Sequence, residues 1–250
     1  MLSRTIEIGP SHISGRYEGD PDADRVVILA ASQGSGTDDG AMAHEADLLH
    51  RRGLATLRLD LLREPEQRNR RTLYDIDLLA GRVADGIAWV QAQPRRRHAQ
   101  IGLSGCGTIA AALLRAASQA PGEVSAVVSR SGRPDLAAHS LAGVDASTLL
   151  IVGGLDPLTR GLNRGALGRL GARGKLAVVP GASHGFGEAG LLHHATLLAT
   201  HWLDHHLARS DSARGEPAAP APALSPLKPQ PAAPSTMSPV DGHWRWGAMS

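Results

Sequence analysis

Aromatic rings and sulfur are scarce in this chain. Phenylalanine occurs once, tyrosine twice and tryptophan four times in 250 residues, so rings make up only 3% of the sequence. The core must be packed from Leu, Val, Ile and Ala, which suits aliphatic strands covered by helices on both faces. Cys106 is the single cysteine, which excludes a disulfide framework and a cysteine-based metal cluster and fits a reducing, cytoplasmic setting. The first residues, MLSRTIEIGP, lack the apolar run of a secretory signal. No stretch approaches the ~18 apolar residues of a membrane span, so no membrane partner is expected. Charge of one sign is also missing: 26 Lys and Arg face 24 Asp and Glu, a formal net charge of +2. The arginines are scattered, so nucleic acid is not an expected partner either.

What is present is enough apolar material, 42% of the residues, for one substantial core. Residues 4–8 and 11–17 read as a hairpin at a sheet edge, turned by Gly9-Pro10. Arg25–Ala31 is a continuous apolar run, the pattern of a strand buried on both faces. Residues 41–52 have helical spacing and stop at Gly53, and a strand follows over 54–59. The charged segment 63–71 reads as a loop, and Asp75 begins an amphipathic helix that reaches Gln93. Strands are then expected near 100–106, 124–129, 148–152 and 175–179, alternating with helices over 108–119, 158–172 and 189–208. This alternation predicts an α/β architecture, a doubly wound and mostly parallel sheet with helices on both faces. From residue 209 to 250 the composition shifts to Pro, Ala and Ser, so the expected organisation is a domain over 1–208 and a disordered tail over 209–250. The tail ends in VDGHWRWGAMS, where Trp244 and Trp246 are candidates for contact with a protein partner.

The chemistry is expected where strands end. The strand at 100–106 turns through glycines directly into an alanine-rich helix, the arrangement in which an α/β-hydrolase displays its nucleophile. Downstream, Asp156 follows the run TLLIVGGL, and His184 lies in VVPGASHGF after the final strand. Loops at the carboxyl ends of parallel strands converge on one crevice, where an aspartate can orient an imidazole that acts as general base. Taken singly, Asp156 before Pro157 is also a helix N-cap, and His184 is one of twelve histidines.

These residues carry a resemblance. GLATLRLDLL at 53–62, YDIDLLAGRV at 74–83, IGLSGCG at 101–107, VVSRSGRPDLA at 127–137, TLLIVGGLD at 148–156, LNRGAL at 162–167 and VVPGASHGF at 178–186 resemble the dienelactone hydrolase-like α/β-hydrolases. Within these, the chain is similar to the short hydrolases found fused to phosphoribosyltransferase domains, over roughly residues 4–208. The resemblance implies hydrolysis of a small ester, lactone or related acyl bond, with a small-molecule substrate and no cofactor. His184 would be general base and Asp156 its orienter, and backbone amides near Thr108 and at Ser32–Gln33 would form the oxyanion hole.

The family's Gly-x-nucleophile-x-Gly elbow falls on Gly105-Cys106-Gly107-Thr108-Ile109, so its apex is Gly107. Without a hydroxyl or thiol there, no ordinary acyl-enzyme forms at that position. Ser104 lies three residues earlier, inside the strand, and Cys106 beside the apex is an alternative nucleophile whose plainer role is a small buried hydrophobe. Ser32 and Ser131 also stand at strand ends, with no motif behind them. Two readings therefore stand side by side: a hydrolase with altered or relocated chemistry, and a catalytically silent binding or regulatory protein. A third, a dinucleotide- or anion-binding protein, rests on Gly105-x-Gly107-x-x-Ala110, a dinucleotide-type fingerprint at a helix N-terminus followed by Arg130 at the next strand end. Such fingerprints normally follow a domain's first strand, and this one comes after several. His194, His201 and His205 share one stripe of the last helix, which reads as a solvated or half-buried face, so no metal is expected, and Arg160, Arg164, Arg169 and Arg173 belong to a basic helix that reads as a solvated face rather than a phosphate grip.

Overall fold

Strand-forming runs and helix caps alternate along the chain much as expected, and a computed structural model describes them for residues 2–32 and 37–207, with the backbone alone at 37–39. Gln33 and the segment 208–250, with Trp244 and Trp246, lie outside the described residues. The strands are β1 (Leu2–Ile8), β2 (Ile13–Gly19), β3 (Arg25–Ala31), β4 (Ala55–Asp60), β5 (Gln100–Cys106), β6 (Val124–Arg130), β7 (Ser147–Gly153) and β8 (Gly174–Val179). They form one sheet in the order β1-β2-β4-β3-β5-β6-β7-β8. The β1–β2 hairpin and the β2–β4 pair are antiparallel, and every later neighbour pair is parallel.

The helices are α1 (Thr37–His50), α2 (Glu64–Gln67), α3 (Arg70–Leu73), α4 (Ile76–Ala92), α5 (Gly107–Gln119), α6 (Pro157–Leu170) and α7 (Leu191–His206). Successive strand residues point to opposite faces, and β3 shows the result. Its Val26, Ile28 and Ala30 join the core layer beneath α4, α5 and α6, whereas Val27 and Leu29 join the layer beneath α1 and α7. All seven residues of β3 are buried, including Arg25, whose guanidinium donates to Asp204 Oδ1 at 2.7 Å and to the Arg52 carbonyl at 2.8 Å. The described residues fall within one compact unit. No helix among them is long and apolar enough to cross a membrane.

The segment 63–71 departs from the expected loop, since it forms α2 and α3. Glu66 accepts from the Arg63 backbone N–H at 2.8 Å, and Asn69 Oδ1 accepts from the Arg71 N–H at 3.0 Å. These side chains satisfy orphan amides in helices too short to show a hydrophobic period. Helix α1 also starts four residues before the expected Ala41 and stops at His50. The sheet order changes direction between β3 and β5, and at such a switch point the loops beyond the strand ends part and leave a crevice.

Candidate active site

At the carboxyl end of β5, the chain passes through Cys106, in extended backbone, into Gly107, where φ is +54°. Glycine alone adopts this region freely. A Cβ added to Gly107 would meet nothing within 4 Å, so the apex position opens onto free space. Gly107 begins α5, and the Cys106 side chain does not cap it. The first turn of such a helix carries amides without intrahelical partners and a partial positive charge. The Gly107 carbonyl is held by the Arg133 backbone N–H at 3.0 Å, and the Arg133 guanidinium is itself fixed by two bonds to Asp135, at 2.8 and 2.7 Å.

The Asp156 carboxylate makes two contacts at once. Oδ1 accepts from the Thr159 N–H at 3.0 Å and caps α6, while Oδ2 accepts from His184 Nδ1 at 2.7 Å. Burial pushes the Asp156 carboxyl up, but hydrogen bonds from Thr159 and His184 outweigh it and hold the group below the usual carboxylate range. An ionised Asp156 fixes the imidazole with its proton on Nδ1, which leaves Nε2 as a proton acceptor. The Asp156 side chain is 13% exposed and that of His184 62%, so the carboxylate sits behind a ring that faces solvent. The Thr159 hydroxyl lies 3.3 Å from the same Nδ1.

Close packing of three strand ends brings the His184 loop to this place. A Cβ on Gly153 would stand 2.4 Å from both the Ala182 and Ser183 carbonyl oxygens, so only glycine lets that loop lie against β7. Leu155 N–H donates to the Ala182 carbonyl at 2.9 Å, and Ser183 N–H donates to Glu188 at 3.0 Å. From β6, the Ser131 hydroxyl donates to the His184 carbonyl at 2.6 Å, and its own N–H donates to the Ile151 carbonyl at 2.8 Å. Ser131 is buried and has a φ of +44°, a conformation that these bonds on both sides sustain.

Cys106, Gly107, Arg130, Ser131, His184 and Phe186 help line a single cavity of about 310 Å³. Thr108 follows Gly107 in the first turn of α5, and Ser32 follows the last residue of β3. Ser104 is buried in β5, where its hydroxyl donates to Glu45 Oε1 at 2.6 Å. Arg130 also contacts Glu45, with Nη1 3.6 Å from Oε2. Glu45, Thr159 and the Ser131 clamp were not anticipated. The signal for Glu45 was present: it is an acid beside Ala46 and Leu49 on the face of α1 that turns to the sheet. Of the α7 histidines, His201 and His205 are exposed and His194 is partly buried, and no group of three metal-ligating side chains forms among the described residues.

No protein-family model matches the chain. The crystal structure of a dienelactone hydrolase from Anabaena variabilis is 37% identical and superposes with a TM-score of 0.77, over 83% of this chain and 98% of that one. A dienelactone hydrolase-like promiscuous phosphotriesterase from metagenomic libraries shares the fold, with a TM-score of 0.64 at 16% identity over 83% of this chain and 99% of its own. A Mycobacterium tuberculosis protein, provisionally named a phosphoribosyl transferase, is 41% identical over 202 residues, which are 81% of this chain and 46% of that protein. The chain thus spans about half the length of the curated relatives it matches.

Proposed function

This chain belongs to the dienelactone hydrolase-like α/β-hydrolases, and from that premise we propose that it hydrolyses the acyl bond of a small ester or lactone with water, in place of a side chain, as the attacking group. The observation that carries this reading is the His184–Asp156 pair, joined at 2.7 Å on a crevice whose apex, Gly107, leaves open space where a nucleophile would stand. A water in that space reaches the substrate carbonyl carbon, and His184 Nε2 takes its proton as the new C–O bond forms. The negative charge passes to the carbonyl oxygen, which the Thr108 backbone N–H stabilises together with the Ser32–Gln33 segment. Collapse of the tetrahedral species breaks the bond to the alkoxide, and the imidazolium returns the proton to it. The products are an acid and an alcohol, or one hydroxy acid from a lactone. Asp156 stays ionised and stabilises the imidazolium during the cycle. We further propose a cytoplasmic setting, a small-molecule substrate, and Trp244 and Trp246 as the candidates for contact with a protein partner.

Turnover of p-nitrophenyl acetate by the full chain is the direct test. Wild type should hydrolyse it without forming an acyl adduct detectable by mass spectrometry, and His184→Ala should lose ~100-fold or more, the range of general base catalysis. Gly107→Ser should gain labelling by a fluorophosphonate probe that wild type lacks. Wild-type turnover no greater than that of His184→Ala overturns the proposal in favour of a silent protein. Loss of activity and of a thioester adduct in Cys106→Ala overturns it in favour of the thiol as nucleophile.

A further inference from the structure

Two histidines outside this site face each other across the helices that border it. His44 on α1 and His193 on α7 bring Nε2 and Nδ1 to 2.8 Å, with ring centroids 5.0 Å apart and planes tilted by 42°. His193 is exposed and His44 is partly exposed, so the pair opens to solvent. One ring donates to the other here, and a ring that shifts its proton to its far nitrogen turns both facing nitrogens into acceptors without any change of charge. Bonds of about 2.0–2.1 Å to one ion, at the angles of tetrahedral or square geometry, hold two imidazole nitrogens about 2.9–3.4 Å apart. The observed separation needs only a few tenths of an ångström of adjustment to reach that range. Each ring stands on a packed helix, so little ordering is left to be done on binding.

We propose that His44 and His193 form a binding site for a divalent transition metal ion, of the Zn²⁺ or Cu²⁺ type, that clasps α1 to α7 at the rim of the crevice. Imidazole nitrogens suit these ions, and water fills the remaining coordination positions. The location gives the clasp its effect. Ala41, one turn before His44, and Leu192, next to His193, both line the crevice. An ion that joins the two rings ties together the two sides of that edge.

The test uses the full chain with Zn²⁺ alone and Cu²⁺ alone, by titration calorimetry. One ion should bind per pair. His44→Ala and His193→Ala should each weaken binding ~10-fold or more, since even loss of an outer-sphere partner of a metal has effects of that size. Saturable binding should also slow amide exchange in the first turn of α7, and Cu²⁺ should selectively broaden the ring resonances of His44 and His193 in the unaltered protein, a readout that does not depend on any variant folding. Absence of saturable binding by wild type overturns the proposal. So does binding that survives unchanged in the double variant, which assigns the ion to other histidines. Neither outcome bears on the hydrolase reading.

Discussion

At Gly107 a single missing side chain separates backbone strain from chemistry. A non-glycine residue held at a φ of +54° carries roughly 1–3 kcal/mol of strain. The empty surroundings of the position mean that no steric penalty adds to it. Gly107→Ser is therefore expected to lower stability by about 1–2 kcal/mol, a fall of a few degrees in Tm for a domain of this size, while it supplies a hydroxyl to the crevice. A thermal melt alongside fluorophosphonate labelling reads both effects. Ser131 presents the reverse case, a residue whose value lies in position. Ser131→Ala leaves the His184 carbonyl without its 2.6 Å donor, at about 0.5–1.5 kcal/mol for a partly buried hydrogen bond. The loop then loosens behind the ring, so kcat should fall while KM changes little, measured on p-nitrophenyl acetate.

Among the elements, the short helices 64–67 and 70–73 show how a charged segment becomes ordered. Glu66 accepts two hydrogen bonds from the Arg82 guanidinium of α4, at 2.8 Å each, and Arg82 also donates to the Leu61 carbonyl at 2.6 Å. The bonds from Arg82, aided by Arg63 and opposed by burial, bring the Glu66 carboxyl down from 4.5 to about 2. A carboxyl with a depressed folded value stabilises the protein above its unfolded value and loses that contribution as pH falls through the folded one. Glu66→Gln should therefore destabilise by up to about 3 kcal/mol at pH 7, with the difference from wild type shrinking below pH 4.5 and vanishing near pH 2. Denaturant titrations across that range check the sign. None of this link was legible in residues 63–71, where the charges repeat without a period; it depends on Arg82, 16 positions away. The same holds at β7, where Gly153 reads as an ordinary strand end until the carbonyls of Ala182 and Ser183 are placed against it. Gly153→Ala is expected to displace the His184 loop and abolish hydrolysis, with a loss of stability seen in the thermal melt.

For the whole molecule, the last described residue, Leu207, is fully buried against the layer beneath α1 and α7. A chain ended after residue 208 should keep its full core and melt within a degree or two of the full chain, since the Pro, Ala and Ser composition of 209–250 offers little to bury. Substantial destabilisation on truncation would place the domain boundary further along. The sequence by itself determined the eight strands, the long helices and the order of Gly107, Asp156 and His184 at strand ends, because periods of 2 and 3.6 and the turn residues between them are local signals. Tertiary structure alone decided which side chains meet. Asp156 reaches His184 across 28 positions, Ser131 reaches its carbonyl across 53, and Ser104 spends its hydroxyl on Glu45 across 59. Those contacts follow from the order in which strands lie side by side, with β3 between β4 and β5. That order is settled by the burial of two apolar layers at once, and no local stretch of the chain records it.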